Sequence, residues 1–432
     1  MSIFHDKFLD DLPIGWGFDR LKDIVSLRNE KTAEVCEEQD YLELEDLESG
    51  TGRIINRRNT LEVESTVTLF KKNDILFGKL RPYLEKYWQA EFDGKCTGEI
   101  LAFEPQRIFN RFLFYCIGSQ WFIERCNALA YGAKMPRVNW ATQLSQFNIP
   151  LPPFPEQKLI SAYLDSSCTA IDASVAAKRR QIEALKTLLT SLITQSVVHG
   201  LDQNTVCWNL KWPWFKGVPK HWRYGHLKRF TTRIQTGVTP PTEHPEYYED
   251  GTIPWFAPGS YDGDLELYSP RKLINEAALH DGVLRMFPVR TIFFIGIGAT
   301  IGKVGMVTMP ASCNQQIIGI VVNHDLLPKY LAYQMKIYEN IISGIAIATT
   351  LPIFDQAKTG YLPVVIPPMQ EQKTICNYLD AKTNESKQTI ATIEFQIDTL
   401  TAYRKSLIHE CVTGQRRITE ADVNRAIAAR QS

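Results

Sequence analysis

Two stretches of the chain place mostly apolar residues at alternating steps of three and four. Ile182, Leu185, Leu189, Leu192 and Ser196 form one series; Ile393, Ile397, Leu400, Arg404, Leu407 and Cys411 form the other. A stripe this narrow predicts helices that pair with another helix rather than cover a broad core. The helices are expected over roughly 156–200 and 371–415. The Pro-Pro pairs ahead of them permit no earlier start, and Pro155 suits a first turn. Glu156 and Glu371 complement the positive end of the helix dipole. Elsewhere the pattern is of β-branched and aromatic runs bounded by Gly, Pro and Asn, which predicts strands mixed with helix. Ile292 to Ile295 and Ile317 to Val322 are the clearest strands.

The blocks occur twice and in the same order. Leu12-Pro13-Ile14-Gly15-Trp16 recurs as Val218-Pro219-Lys220-His221-Trp222, and Asp74-Ile75-Leu76-Phe77 as Thr291-Ile292-Phe293-Phe294. Cys96 then falls on Cys313, and Pro152-Pro153-Phe154-Pro155-Glu156-Gln157 on Pro367-Pro368-Met369-Gln370-Glu371-Gln372. Tyr163-Leu164-Asp165 repeats as Tyr378-Leu379-Asp380. Such duplication predicts two equivalent units. The expected organisation is a first module over 1–155, a first helical segment over 156–207, a second module over 208–370, a second helical segment over 371–415 and a tail over 416–432. The first helix leaves module one and reaches module two, and the second leaves module two. If the two pack together they run antiparallel, with a pseudo-two-fold relation. The fold class is therefore α/β (α+β) and multidomain: two mixed-sheet modules separated by an antiparallel helix pair.

Composition adds exclusions more than identity. A length of 432 residues exceeds one ordinary core. No run of about 18 apolar residues is present, so no membrane partner is expected, and the acidic opening from Met1 to Asp11 is unlike a signal peptide. Nine cysteines without a Cys-x-x-Cys pair argue against a disulfide framework or structural zinc and fit a reducing cytoplasm. Net charge is zero. Residues 1–155 hold 19 basic against 23 acidic side chains, and residues 208–370 hold 15 against 12. Global neutrality still permits a local basic groove.

Several motifs point to chemistry that their context does not sustain. Gly296-Ile297-Gly298-Ala299-Thr300-Ile301-Gly302 follows a strand as a dinucleotide loop does, but Lys303 to Val307 reads as another strand instead of a helix. A tight turn is expected there. Leu151-Pro152-Pro153-Phe154 has the shape of an amino-methyltransferase loop, but leucine cannot accept a hydrogen bond from a target amine, and Ile366 stands at the same place in the second copy. The eight histidines lack metal-ligand spacing, so no metal site is expected. His199 and His409 stand near helix C-termini, where the dipole favours a cation. No nucleophile elbow is present. No catalytic residue is expected.

The duplicated set resembles the specificity subunit of type I restriction–modification enzymes. The residues that carry the resemblance are the two Pro-x-x-Trp openings, the run Asp74-Ile75-Leu76-Phe77-Gly78-Lys79-Leu80-Arg81-Pro82-Tyr83, and the segment Gly298–Gly305. The two Pro-Pro-x-x-Glu-Gln segments complete it, each before a long helix that ends at Val197–Gly200 or Val412–Gly414. The resemblance implies target-recognition modules that each read half of a bipartite double-stranded DNA target. It also implies helices that dock two methyltransferase subunits, with restriction/translocase subunits able to join. S-adenosylmethionine, ATP and Mg would be bound by those partners, and this chain would hold no cofactor and catalyse nothing.

Phosphate contacts need Lys, Arg or hydroxyl groups, and guanine reading favours Arg. In turn-like positions these are Arg57, Arg58, Lys79, Arg81, Lys134 and Arg137 in module one. In module two they are Arg229, Arg233, Thr300, Lys303, Thr349 and Thr350. Lys178-Arg179-Arg180 has two readings, a phosphate contact between half-sites or a polar end to the seam. The alternative function is a pseudo-symmetric coiled-coil scaffold that never touches DNA.

Overall fold

A computed structural model describes residues 7–32, 40–59, 67–202, 204–212, 215–348 and 354–431. The two long helices run from Phe154 to His199 and from Met369 to Val412. Each begins directly after its Pro-Pro pair, as the missing amide donors require. Contacts divide the chain into two compact units: residues 1–180 with 393–432, and residues 181–392. Each unit therefore holds one module, one half of the first long helix and one half of the second.

In the first unit, strands Val25–Leu27, Ile100–Pro105, Ile75–Gly78 and Tyr87–Gln89 lie in that order in one sheet. In the second unit, Thr231–Thr236, Ile317–Val322, Ile292–Ile295 and Val304–Val307 lie in the same order, with Glu266–Leu267 added at the edge. A second sheet repeats as well: Leu42 pairs with Cys96 in parallel strands, and Phe256 pairs with Cys313 in the same way. Both cysteines are fully buried, which accounts for small apolar residues at that offset. The Gly296–Gly302 segment is a turn joining the antiparallel strands Ile292–Ile295 and Val304–Val307, as expected.

The repeated motifs act as latches between module and helix. Gln157 Oε1 accepts from Phe109 N at 2.8 Å while its Nε2 donates to Pro152 O at 2.9 Å. Gln372 repeats this with Leu327 N at 2.7 Å and Pro367 O at 2.9 Å. Asp165 accepts from Tyr115 Oη and Arg111 Nε, each at 2.6 Å. Asp380 accepts from Tyr333 Oη at 2.7 Å and Lys329 Nζ at 3.1 Å. These partners offset the cost of partly withdrawing the two carboxylates from water.

Within the first unit the helices run antiparallel: Asp172 meets Arg404, and further along Lys178 donates to Gln396 at 2.6 Å. The seam is thin. Ile393 and Leu407 are buried while Ile397 and Leu400 are half-buried; in the second unit Ile182 is buried and Leu185, Leu189 and Leu192 are half-buried. The glycines that end the two helices, Gly200 and Gly414, have φ of +79° and +78°. Each lies against a Pro-x-x-Trp opening, Gly200 on Trp222 and Gly414 on Pro13 and Trp16.

Within the 416–432 tail, residues Glu420–Gln431 form a helix whose Val423 joins Ile418 in the first unit's core, and Ser166 Oγ donates to Ala426 O at 2.8 Å. His409 departs from the expectation that the helix end favours its cation: burial lowers its pKa, and the charges of Glu124 and Glu410 act in the opposite sense.

Candidate nucleic-acid interface

Four candidate residues of module one gather at a single corner. The turn after strand Ile75–Gly78 pairs with the 131–138 loop: Arg81 N donates to Pro136 O at 2.7 Å, and Val138 N to Lys79 O at 3.0 Å. Arg81 Nη2 donates to Lys134 O at 3.4 Å. The corner thus assembles Lys79, Arg81, Lys134 and Arg137 from segments more than fifty residues apart in sequence. Lys134 is exposed. Arg137 is gripped by Glu99, with Nε 3.1 Å and Nη2 3.0 Å from its carboxylate. That fork is a strong, geometrically fixed pair.

The turn has positive-φ residues at equivalent positions in both modules. Arg81 and Glu85 have φ of +50°, and Gly298 and Gly302 have φ of +107° and +91° at the same offset of 217 residues. A left-handed backbone costs a non-glycine residue of order 1 kcal/mol. Module one sustains that cost at Arg81 and Glu85, where Lys405 Nζ lies 2.6 Å from Glu85. In module two, Thr300 and Lys303 belong to this turn, with Lys303 N donating to Thr300 O at 3.3 Å. Thr349 and Thr350 lie outside the described residues.

The remaining candidates are not brought to that corner. Arg57 is exposed and stacks 4.0 Å over the Phe92 ring. Arg58 is held by carboxylates, 2.9 Å from Asp46 and 2.8 Å from Glu43, and the Asp46 hydrogen bond, more than any other influence, raises its pKa. Arg233 donates to Gln235 and to Met286 O, both at 2.7 Å, over the Phe287 ring at 4.5 Å. Arg229 is exposed on the short 3₁₀ turn Leu227–Phe230. Arg58, Arg137 and Arg233 are therefore committed to intramolecular partners, which charge and turn propensity could not reveal. Among the described residues no cluster of His, Cys, Asp and Glu could hold a metal ion, and no helix is long and apolar enough to cross a membrane.

The family model of the type I restriction modification DNA specificity domain matches the chain twice, at residues 13–184 and 219–395. Among known proteins, the type I restriction enzyme EcoDI specificity subunit of Escherichia coli is 30% identical over 159 residues, 36% of this chain and 35% of that protein. The EcoR124I/EcoR124II specificity subunit of the same organism is 26% identical over 149 residues, 33% of this chain and 37% of that protein. The aligned region thus spans about a third of either relative. Two solved structures share the fold at 18% identity. One, from work on complex assembly and conformational transition of the type I R-M system, covers 94% of this chain and 99% of its own with a TM-score of 0.74. The other, an HsdS subunit from Thermoanaerobacter tengcongensis, covers 94% and 98% with a TM-score of 0.51.

Proposed function

Because the chain belongs to the family of the type I restriction modification DNA specificity domain, we propose that it is the DNA-recognising, non-catalytic subunit of a type I restriction–modification complex. Each module reads one half of a bipartite target. The observation that carries this is the double match of the family model onto two modules with the same strand order and the same corner turn. Lys79, Arg81 and Lys134 at that corner supply phosphate or guanine contacts in module one, and Thr300 and Lys303 supply contacts in module two.

The long helices dock two methyltransferase subunits. Leu188 on the first helix, and Phe395 and Tyr403 on the second, are exposed large apolar side chains that support a protein-binding role for these surfaces. S-adenosylmethionine, ATP and Mg chemistry then belongs to the methyltransferase and restriction/translocase partners.

A swap of residues 1–155 for the corresponding module of a relative tests the reading. Methylated-motif sequencing in a host carrying the chain with its methyltransferase should show one half of the motif replaced and the other kept. Replacement of both halves, or of neither, overturns it. DNA-binding anisotropy of the same complex separates this function from a scaffold, which would bind no duplex.

A further inference from the structure

Two modules of one fold that read different half-sites must differ in chemistry at equivalent places, and the corner turn supplies such a place. In module one, Lys79 N donates to Glu99 O at 2.9 Å and Val138 N to Lys79 O at 3.0 Å. In module two, Gly296 N donates to Gln316 O and Phe354 N to Gly296 O, both at 2.9 Å. The backbone pairing is thus the same and the side chains are not. Gln316 stands where module one has Glu99, and Gln315 where it has Gly98.

Around Gln315 and Gln316 lies a cleft of about 380 Å³, bordered also by Thr236 and Gln356 and floored by Ile297, Ile318 and Phe354. Gln316 Oε1 accepts from Asn314 Nδ2 at 3.0 Å. Its Nε2 points at the turn, 3.0 Å from where a Cβ on Gly298 would stand. Gln315 Oε1 accepts from Thr239 Oγ1. Gln356 is exposed, and its Nε2 donates to Thr236 Oγ1 at 2.9 Å. Asp355, also on the rim, turns its carboxylate to its own helix, accepting from Lys358 N at 2.7 Å. Among the described residues the lining has amides, a hydroxyl and an acid but no basic side chain, which favours a base edge over a phosphate.

We propose that this cleft is the base-reading site of module two and that it recognises an A·T pair. The inference rests on the DNA-recognition reading above. A carboxamide offers a donor and an acceptor together, the complement of adenine N6 and N7, and the apolar floor suits the thymine methyl group.

The full chain, co-expressed with its methyltransferase partners, is assayed by binding selection on a randomised duplex and by methylated-motif sequencing. The variants are Gln315→Ala, Gln316→Ala and, as an exposed position that spares the fold, Gln356→Ala. One A·T position in one half-site should relax, with discrimination falling about ten- to a hundredfold while the other half-site and the salt dependence stay as they were. Gln316→Glu, which installs the module-one residue, should move preference at that position towards cytosine. An unchanged motif in all the variants overturns the inference. So does a uniform loss of affinity with a shallower salt slope, the mark of a phosphate contact. Absence of any sequence selectivity in the unaltered complex overturns the parent reading instead, and is seen before any variant is made.

Discussion

Arg404 Nε lies 3.0 Å from Asp172 Oδ1, with both side chains less than one-fifth exposed. The contact is one of charge and not of an aligned hydrogen bond, since the Nε–H finds no directed acceptor. The same guanidinium donates to Gly50 O at 3.1 Å and Thr51 O at 3.4 Å, and Arg53 Nη2 reaches Asp172 at 2.8 Å. One cation in the apolar seam therefore ties both helices to a turn of module one.

Removing Asp172 takes the counter-charge from Arg404 but leaves it the Gly50 and Thr51 carbonyls. Asp172→Ala should destabilise the first unit by about 1–3 kcal/mol, and Asp172→Leu with Arg404→Met should recover part of that loss. Denaturant unfolding of the single and double variants measures it. A single variant as stable as the parent would mean that the pair is effectively solvated.

The two helix-ending glycines differ in how much room they have. A Cβ on Gly414 would stand 2.4 Å from Pro13 Cδ, whereas one on Gly200 would stand 3.1 Å from Trp222 Cζ2. Both backbones are left-handed. Gly200→Ala is expected to cost ~1 kcal/mol, and Gly414→Ala ~2–4 kcal/mol because overpacking adds to backbone strain. Equal losses in thermal unfolding would show that the openings yield alike.

Leu189 sits half-buried in the interior of the first long helix. Proline there removes a backbone hydrogen bond and clashes with the preceding turn, at ~3 kcal/mol or more. Leu189→Pro should abolish methylation directed by the complex although no residue of either corner is altered. Retained sequence-specific methylation would show that a continuous helix is dispensable.

His409 supplies a pH dependence with a definite sign. Burial holds its folded pKa below the ordinary 6.5. Its contribution to stability is therefore complete above about 6.5 and is lost as pH falls through the lower folded value. His409→Gln should show a smaller loss of stability than the parent between neutral and mildly acidic pH. Parallel curves for the two proteins would assign the acid sensitivity to other groups.

Helix periodicity, the strands at Ile292–Ile295 and Ile317–Val322, and the turn at Gly296–Gly302 were readable because each depends on neighbours in sequence. Tyr163-Leu164-Asp165 was visible as a repeat, but its purpose was not, since Tyr115 and Arg111 come from some fifty residues away. Arg404 occupied a seam position whose partner could not be inferred from spacing. Arg58, Arg137 and Arg233 have the residue type of nucleic-acid contacts, yet carboxylates or backbone carbonyls engage them internally. Gln315 and Gln316 carry no charge and so lack the signature of a phosphate contact; only the repeat, which sets Gln316 against Glu99, marks them. The helix Glu420–Gln431 lies beyond the second copy of the repeat and had no counterpart to expose it.

The division of the chain also sets an order of events during synthesis. The second unit is one continuous segment, residues 181–392, whereas the first needs residues 393–432 as well. Leu407, Ile408, Cys411, Val412, Ile418 and Val423 belong to the same core as Leu21, Phe77 and Phe112. The first module therefore leaves the ribosome before the second yet keeps an open apolar face until residues 393–432 arrive. At about 5–20 residues per second this wait lasts tens of seconds. During that interval nascent chains are exposed to chaperone capture, and truncation ahead of residues 393–432 would leave the first module unfinished.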